Sequence, residues 1–145
     1  MIYLVHHADA VGPDVDPQRP LSAAGRAHAE ALARAVGGRG VKPVAIWHSG
    51  KLRARQTAEP FWRECNPMAE FMAIRGLQPD DPPAWTKDML TGEQREIMIV
   101  GHMPHLSRLL TLLVTGTDTS VLHYPLHGVV ALEPAGENWI ERWRL

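Results

Sequence analysis

Residues 2–9 of the chain read IYLVHHAD. The first four form a short apolar run of strand-forming types, and two adjacent imidazoles, those of His6 and His7, stand where the run stops. Histidine pairs are an uncommon way to fill a core. Polar side chains at the carboxyl end of a buried strand are a common start of a binding site. We therefore expect a functional site at the end of this strand.

Size and composition indicate an ordinary globular protein. The 145 residues, 45% hydrophobic and 21% charged, predict one domain spanning residues 1–145. A net charge of −1 gives no reason to expect a nucleic acid or a membrane as partner, and nothing indicates an oligomeric state. Cys65 is the only cysteine, so no disulfide can form within the chain. With neither a signal-peptide pattern nor a long apolar run, we expect a cytoplasmic protein.

Short apolar runs recur along the chain and predict six strands. They lie at residues 2–5, 44–47, 71–74, 97–100, 129–132 and 139–143. Helical spacing of apolar residues occupies the segments between them, at residues 23–36, 51–65, 84–90 and 104–116. This alternation predicts an α/β protein with a mostly parallel central sheet and helices on both faces.

Local signals place the ends and irregularities of the helices. Ser22 is suited to cap the first helix, and Gly25 in its first turn indicates a close approach of other backbone. Pro60 predicts a kink or a break in the second helix. Pro104 is suited to the first position of the fourth helix.

Three predicted strands end in polar groups, and the carboxyl ends of parallel strands meet at one edge of a sheet. These groups are His6-His7, then His48-Ser49 followed by Lys51, Arg53 and Arg55, and finally Gly101-His102. Guanidinium groups and a helix N-terminus together bind a doubly charged anion. A neutral imidazole can also act as a nucleophile.

Other histidines and basic residues fit structural roles. We expect surface or hydrogen-bonded positions for His28, His105 and His123, and a solvated helix face for Lys51, Arg55 and Arg63.

A metal site is the alternative interpretation of the histidines, with His6, His7, His102 and His105 as ligands. However, the chain has no HExxH motif and no cysteine ligand set, and adjacent residues of a strand point to opposite faces. We therefore predict no metal site.

Four segments together resemble the histidine phosphatase (phosphoglycerate mutase-like) superfamily, and within it the SixA-type phosphohistidine phosphatases. They are LVHHADA at 4–10, RPLSAAG at 19–25, WHSGKLRARQTAE at 47–59 and VGHMPHLSRL at 100–109. The resemblance spans nearly the whole chain. It implies the three-layer phosphoglycerate mutase-like fold and a metal-independent phosphatase that needs no cofactor.

The resemblance also implies roles for single residues. His7 looks like the nucleophile that becomes phosphorylated, Arg53 like the arginine that grips the phosphate, and His102 like the second histidine of the phosphate pocket. His6 and Arg19 fall within the matching segments, and we expect both to help bind phosphate.

The chain departs from the family at two positions. The resemblance implies an arginine before the nucleophile, where this chain has His6, so a fixed positive charge and a two-pronged contact are lost. A protonated His6 could supply part of that charge, and the sequence leaves its protonation state open. Many relatives place a catalytic glutamate where this chain has Gly76. Asp80 and Asp81 are nearby acids that could donate the proton instead.

These features predict hydrolysis of phosphohistidine on a protein of the phosphorelay or phosphocarrier type. An imidazole leaves without a strong proton donor, whereas a serine alkoxide does not. Two alternatives stay open. One is a phosphate-recognition module that lost turnover with the arginine, and the other is a phosphatase acting on a small phosphorylated substrate.

Overall fold

The computed structural model describes all 145 residues and contains six strands and four helices. In chain order they are β1 (Ile2–His6), α1 (Ala23–Gly38), β2 (Ala45–His48), α2 (Leu52–Cys65), β3 (Glu70–Ala73), α3 (Pro83–Leu90), β4 (Ile97–Gly101), α4 (His105–Thr115), β5 (Val129–Ala135) and β6 (Asn138–Arg144). Each segment expected to be a strand or a helix forms that element. Most of the bounds differ from the expected ones by one or two residues, and the end of β5 differs by three.

All six strands join one sheet in the order β3-β2-β4-β1-β5-β6. The first four in this order run parallel, while β5 and β6 run antiparallel to their neighbours. β1 therefore lies between parallel β4 and antiparallel β5, with His6 opposite Gly101 and Val5 opposite Val129. The expected α/β fold with a mostly parallel sheet is confirmed.

The core consists of two apolar layers, one on each face of the sheet. One face of β1 presents Ile2 and Leu4 to α3 and α4. The other face presents Tyr3 and Val5 to α1 and α2. Because both faces are covered, the central strands are apolar throughout, and only their ends can carry polar side chains into solvent.

The local signals are largely confirmed. Ser22 caps α1 and accepts a 3.0 Å hydrogen bond from the N–H of Gly25. α2 continues unbroken through Pro60, and Pro104 takes the capping position before α4 and not its first position. None of the helices has both the length and the apolar character that a membrane span requires.

The glycine in the first turn of α1 holds the loop after β1 in place. A Cβ atom on Gly25 would lie 2.1 Å from the carbonyl oxygen of Asp9, which is rigid backbone. Only a residue without a side chain lets α1 approach the segment that follows His7 this closely.

Gly25→Ala should therefore destabilise the protein by about 1–3 kcal/mol, although alanine is the better helix former. Gly38→Ala is the matched control, because a Cβ at that helical position meets nothing within 4 Å. It should be neutral or stabilising by up to about 1 kcal/mol. Denaturant unfolding of both variants tests this, and equal stabilities would contradict the close approach.

Candidate active site

His7 follows directly after β1, and the backbone around it is held from two sides. Its N–H donates to the carbonyl of Gly101 at 3.0 Å, which ties it to β4. The next N–H, that of Ala8, donates to the hydroxyl oxygen of Thr57 on α2 at 2.9 Å. The same hydroxyl donates to the carbonyl of Arg53 at 2.8 Å, so the turn that carries Arg53 is fixed to the loop that carries His7.

One hydrogen bond selects the tautomer of His7. Its Nδ1 lies 2.7 Å from the carbonyl oxygen of Ala8, which can only accept, so the ring proton resides on Nδ1. Nε2 then carries the free lone pair. Burial lowers the pKa of His7 to about 4, partly offset by the bond to Ala8, and the charges of Arg53, His127 and Arg19 lower it further. At neutral pH, His7 is therefore an uncharged imidazole with a nucleophilic Nε2.

His6 is a neutral hydrogen-bond donor. Its Nδ1 accepts a 2.9 Å hydrogen bond from the N–H of His127, so its proton resides on Nε2. Burial, and then the neighbouring His7 and His127, lower the pKa of His6 to about 3. His6 therefore brings no positive charge to the site, because the ring is buried and its Nδ1 lone pair is in use.

His102 lies beside His7, with its ring centroid 5.1 Å from that of His7. Its Nε2 lies 2.6 Å from the hydroxyl oxygen of Ser49, which in turn accepts from the N–H of Lys51 at 3.3 Å. Ser49 can thus donate to Nε2 and leave the proton on Nδ1. That nitrogen is buried and has no partner in the protein. Burial and the charges of His7 and Arg53 lower the pKa of His102 to about 2.

Two arginines supply positive charge beside these rings. Arg53 lies in the first turn of α2, and its Nε is buried without a hydrogen-bond partner. Burial lowers its pKa, and so does the charge of Arg19. Arg19 has a left-handed backbone with φ of 50° and donates from Nε to the carbonyl of Val11 at 3.0 Å. Two guanidinium groups without a carboxylate partner make a site for an anion.

The structure therefore brings five of the expected site residues together, while the remaining candidates lie elsewhere. The five are His6, His7, Arg19, Arg53 and His102.

The two acids are not part of this group. Asp80 is exposed, and its carboxylate forms no hydrogen bond. The carboxylate of Asp81 accepts a hydrogen bond from the N–H of Gln78 at 2.9 Å. Asp81 lines a 380 Å³ groove that Ser49 also lines. His48 turns away as well, and its ring packs on that of Phe71.

His127 belongs to the site, and sequence reasoning missed it. Its Nδ1–H donates to the carbonyl of His7 at 2.7 Å, and its ring stacks on that of His6 at 4.9 Å. It precedes β5, whose antiparallel direction brings the start of that strand to the carboxyl end of β1. The signal was a histidine just before an apolar run, and it could be interpreted only once the direction of that strand was known.

The rings of His6, His7 and His127 form a cluster in which one ring nitrogen from each lies within 4.8 Å of the others. This set differs from the four histidines considered as metal ligands from the sequence. The argument that adjacent residues point to opposite faces also fails here, because the rings of His6 and His7 are only 4.6 Å apart. His7 lies beyond the last residue of β1, where strand alternation no longer applies.

Comparison with known proteins identifies the fold. A protein histidine phosphatase SixA complexed with tungstate is similar, with a TM-score of 0.83 and 19% identity over 99% of this chain and 95% of that one. A protein from Agrobacterium tumefaciens, assigned as a phosphohistidine phosphatase SixA, has a TM-score of 0.79 and 26% identity, over 99% of this chain and 95% of that one. A phosphoserine phosphatase from Entamoeba histolytica has a TM-score of 0.73 and 12% identity, over 99% of this chain and 95% of that one. The expected phosphoglycerate mutase-like fold is thus confirmed.

Sequence comparison identifies the family. No curated protein matches the chain. The family model described as histidine phosphatase superfamily (branch 1) matches residues 2–78, which include the end of β1 and the first turns of α1 and α2. With this match over more than half of its length, the chain belongs to the histidine phosphatase superfamily.

Proposed function

We propose that this protein hydrolyses phosphohistidine on a partner protein, through a covalent phosphohistidine on His7. The observation that carries the proposal is a neutral His7 with a free Nε2, placed beside two buried donors without partners, Nδ1 of His102 and Nε of Arg53. A buried donor without a partner is costly, and a bound phosphoryl group would satisfy both.

The first step is an in-line displacement at phosphorus. Nε2 of His7 forms the new N–P bond while the N–P bond of the substrate breaks. The substrate imidazole, protonated on its other nitrogen, leaves as neutral imidazole and takes that electron pair. In the second step water attacks phosphorus, the bond to Nε2 breaks and returns its electron pair to Nε2, and dihydrogen phosphate leaves with the oxygen and both protons of the water.

The surrounding donors act on the charge that the phosphoryl oxygens carry in the transition state. Arg53 and Arg19 supply fixed positive charge, while His102 through Nδ1–H and His6 through Nε2–H supply neutral donors. Donors already in position stabilise this charge without reorganisation during the reaction.

The leaving group argues for phosphohistidine over phosphoserine. At the position of the family glutamate the chain has Gly76, which adopts a φ of 94° and carries no acid. Asp81 lines the adjacent groove, but its carboxylate already accepts a hydrogen bond from the N–H of Gln78. Asp80 is exposed to solvent. Without a carboxylic acid on the leaving atom, an imidazole departs far more readily than an alkoxide.

A second function, phosphate recognition with little turnover, is favoured by one observation. His6 replaces a charged two-pronged donor with one neutral N–H. A charged hydrogen bond contributes about 1.5–3 kcal/mol, so catalysis loses more from this change than phosphate binding does.

Phosphate release from a phosphohistidine protein, a phosphoserine peptide and a small phosphomonoester would test the function. His7→Ala should lower release from the phosphohistidine protein at least about a thousandfold. Intact-mass measurement should show one phosphoryl group on the unmodified enzyme and none on this variant. His123→Ala is the control, because that side chain is exposed and contacts no site residue. Unchanged release in His7→Ala would refute the nucleophile, and phosphoenzyme without turnover would favour the recognition module.

His6→Arg should raise kcat/KM by about ten- to a hundredfold at neutral pH, because it restores a charged donor. The longer side chain needs the space that the stacked ring of His127 occupies, so His6→Arg with His127→Ala is the second variant. If neither variant exceeds the activity of the unmodified protein, His6 is not what limits the rate.

NMR titration of the His7 ring should give a midpoint near pH 4, because burial opposes the protonated form. His7 then stays neutral and nucleophilic as the pH falls from 7 to 5, and loses its lone pair only near pH 4. Arg53→Ala should raise the midpoint, since the charge of Arg53 contributes to the shift, yet leave it below 6.5 because burial is the larger cause. A midpoint above 6 in the unmodified protein would contradict the proposed neutral nucleophile.

A further inference from the structure

An unusual number of imidazoles gather at the carboxyl end of β1. Five of the eight histidines lie in one chain of ring contacts with centroid separations between 4.6 and 6.4 Å. They are His6, His7, His28, His102 and His127. Reaction at a single nucleophile uses His7 and His102, but it gives no role to the imidazole of His127.

The hydrogen bonds prepare two of these rings to coordinate a cation. His7 donates from Nδ1 to the carbonyl of Ala8, and His127 donates from Nδ1 to the carbonyl of His7, each at 2.7 Å. Both rings thus have a free lone pair on Nε2. Donation of the second ring N–H to a backbone carbonyl is the usual outer-shell support of a metal-binding histidine.

His6 completes a set of three. One ring nitrogen from each of His6, His7 and His127 lies within 4.8 Å of the others, and the centroids are 4.6, 4.9 and 6.2 Å apart. A tetrahedral zinc ion with Zn–N bonds of about 2.0–2.1 Å needs ligand nitrogens about 3.3 Å apart. The rings must therefore close by at most about 1.5 Å, which side-chain rotation can provide.

Two rearrangements accompany this closure. Whichever nitrogen of His6 binds the cation, the N–H of His127 loses its acceptor on Nδ1, and a donor left without an acceptor weakens binding roughly five- to a hundredfold. The rings of His6 and His127, now stacked at 14°, turn so that the cation lies in the plane of each. Three imidazoles select a borderline-soft cation such as Zn²⁺ over Mg²⁺, which prefers oxygen ligands and several waters.

We propose that His6, His7 and His127 bind one zinc-like divalent cation through one nitrogen of each ring, Nε2 in His7 and His127, and that the bound cation inhibits phosphoryl transfer. Inhibition follows because one lone pair on His7 cannot bind the cation and attack phosphorus at the same time. An arginine at position 6 would provide no imidazole ligand, so the site exists only with the histidine that this chain has there. The binding is independent of the proposed function, whereas the inhibition rests on it.

Calorimetric titration of the tag-free protein with ZnCl₂ at pH 7, in a buffer that does not chelate, tests the binding. We expect one zinc per chain, no binding of Mg²⁺, and binding at least about tenfold weaker in His127→Ala. His123→Ala, which removes an exposed histidine outside the proposed ligand set, should bind zinc as the unmodified protein does. Substitution by Co²⁺ should give the visible absorption of tetrahedral coordination.

Equal affinity of His127→Ala and the unmodified protein would overturn the site, as would the absence of zinc binding up to about 1 mM. If His127→Ala fails to fold, His127→Gln removes the ligand and keeps a polar side chain, and the same tenfold loss is expected. Zinc at saturation should stop phosphate release, and EDTA should restore it. Undiminished release at saturating zinc would refute the inhibition. Zinc binding without any phosphatase activity would refute the proposed function and leave the cation site standing.

Discussion

The hydrogen bond from Nδ1 of His7 to the carbonyl of Ala8 is the interaction on which the chemistry of this site depends. Without it, either nitrogen of the ring could carry the proton, and the lone pair would not be reliably presented on Nε2. The bond forms because Ala8 is itself fixed, through the hydroxyl of Thr57, to the turn that carries Arg53. A single threonine therefore couples the orientation of His7, the proposed nucleophile, to the position of Arg53, the proposed phosphate ligand.

His6 stands where the family resemblance implies an arginine, and this changes the charge of the site. An arginine brings its charge with it at any pH in which the protein is folded. His6 is buried, accepts a hydrogen bond from the backbone N–H of His127, and stays neutral. It can therefore donate one hydrogen bond in a fixed direction, but it brings no positive charge. The remaining positive charge is that of Arg53 and Arg19. A site of this kind depends more on geometry than on net attraction.

Much of the fold and part of the site could be predicted from the sequence, for identifiable reasons. The apolar runs of β1, β2 and β4 and the capping pattern of α1 are local signals, and the structure contains each of these elements. Residues at the ends of parallel strands, such as His7 and His102, could be placed together because parallel strands share one edge. His127 could not, since its position depends on the antiparallel direction of β5, and nothing local in the sequence encodes that direction. The protonation state of His6 could not be predicted, because it depends on burial and on a backbone N–H that lies 121 residues away.

The position of β1 between β4 and β5 bears on when the protein acquires its site during synthesis. The segment matched by the family model, residues 2–78, contains His6, His7, Arg19 and Arg53. A nascent chain of that length has neither strand neighbour of β1, and it lacks His102 and the backbone N–H that orients His6. Such long-range pairing forms late and slowly, because loop closure must come before the contacts that stabilise it. The candidate site is therefore complete only after the last quarter of the chain has joined the sheet.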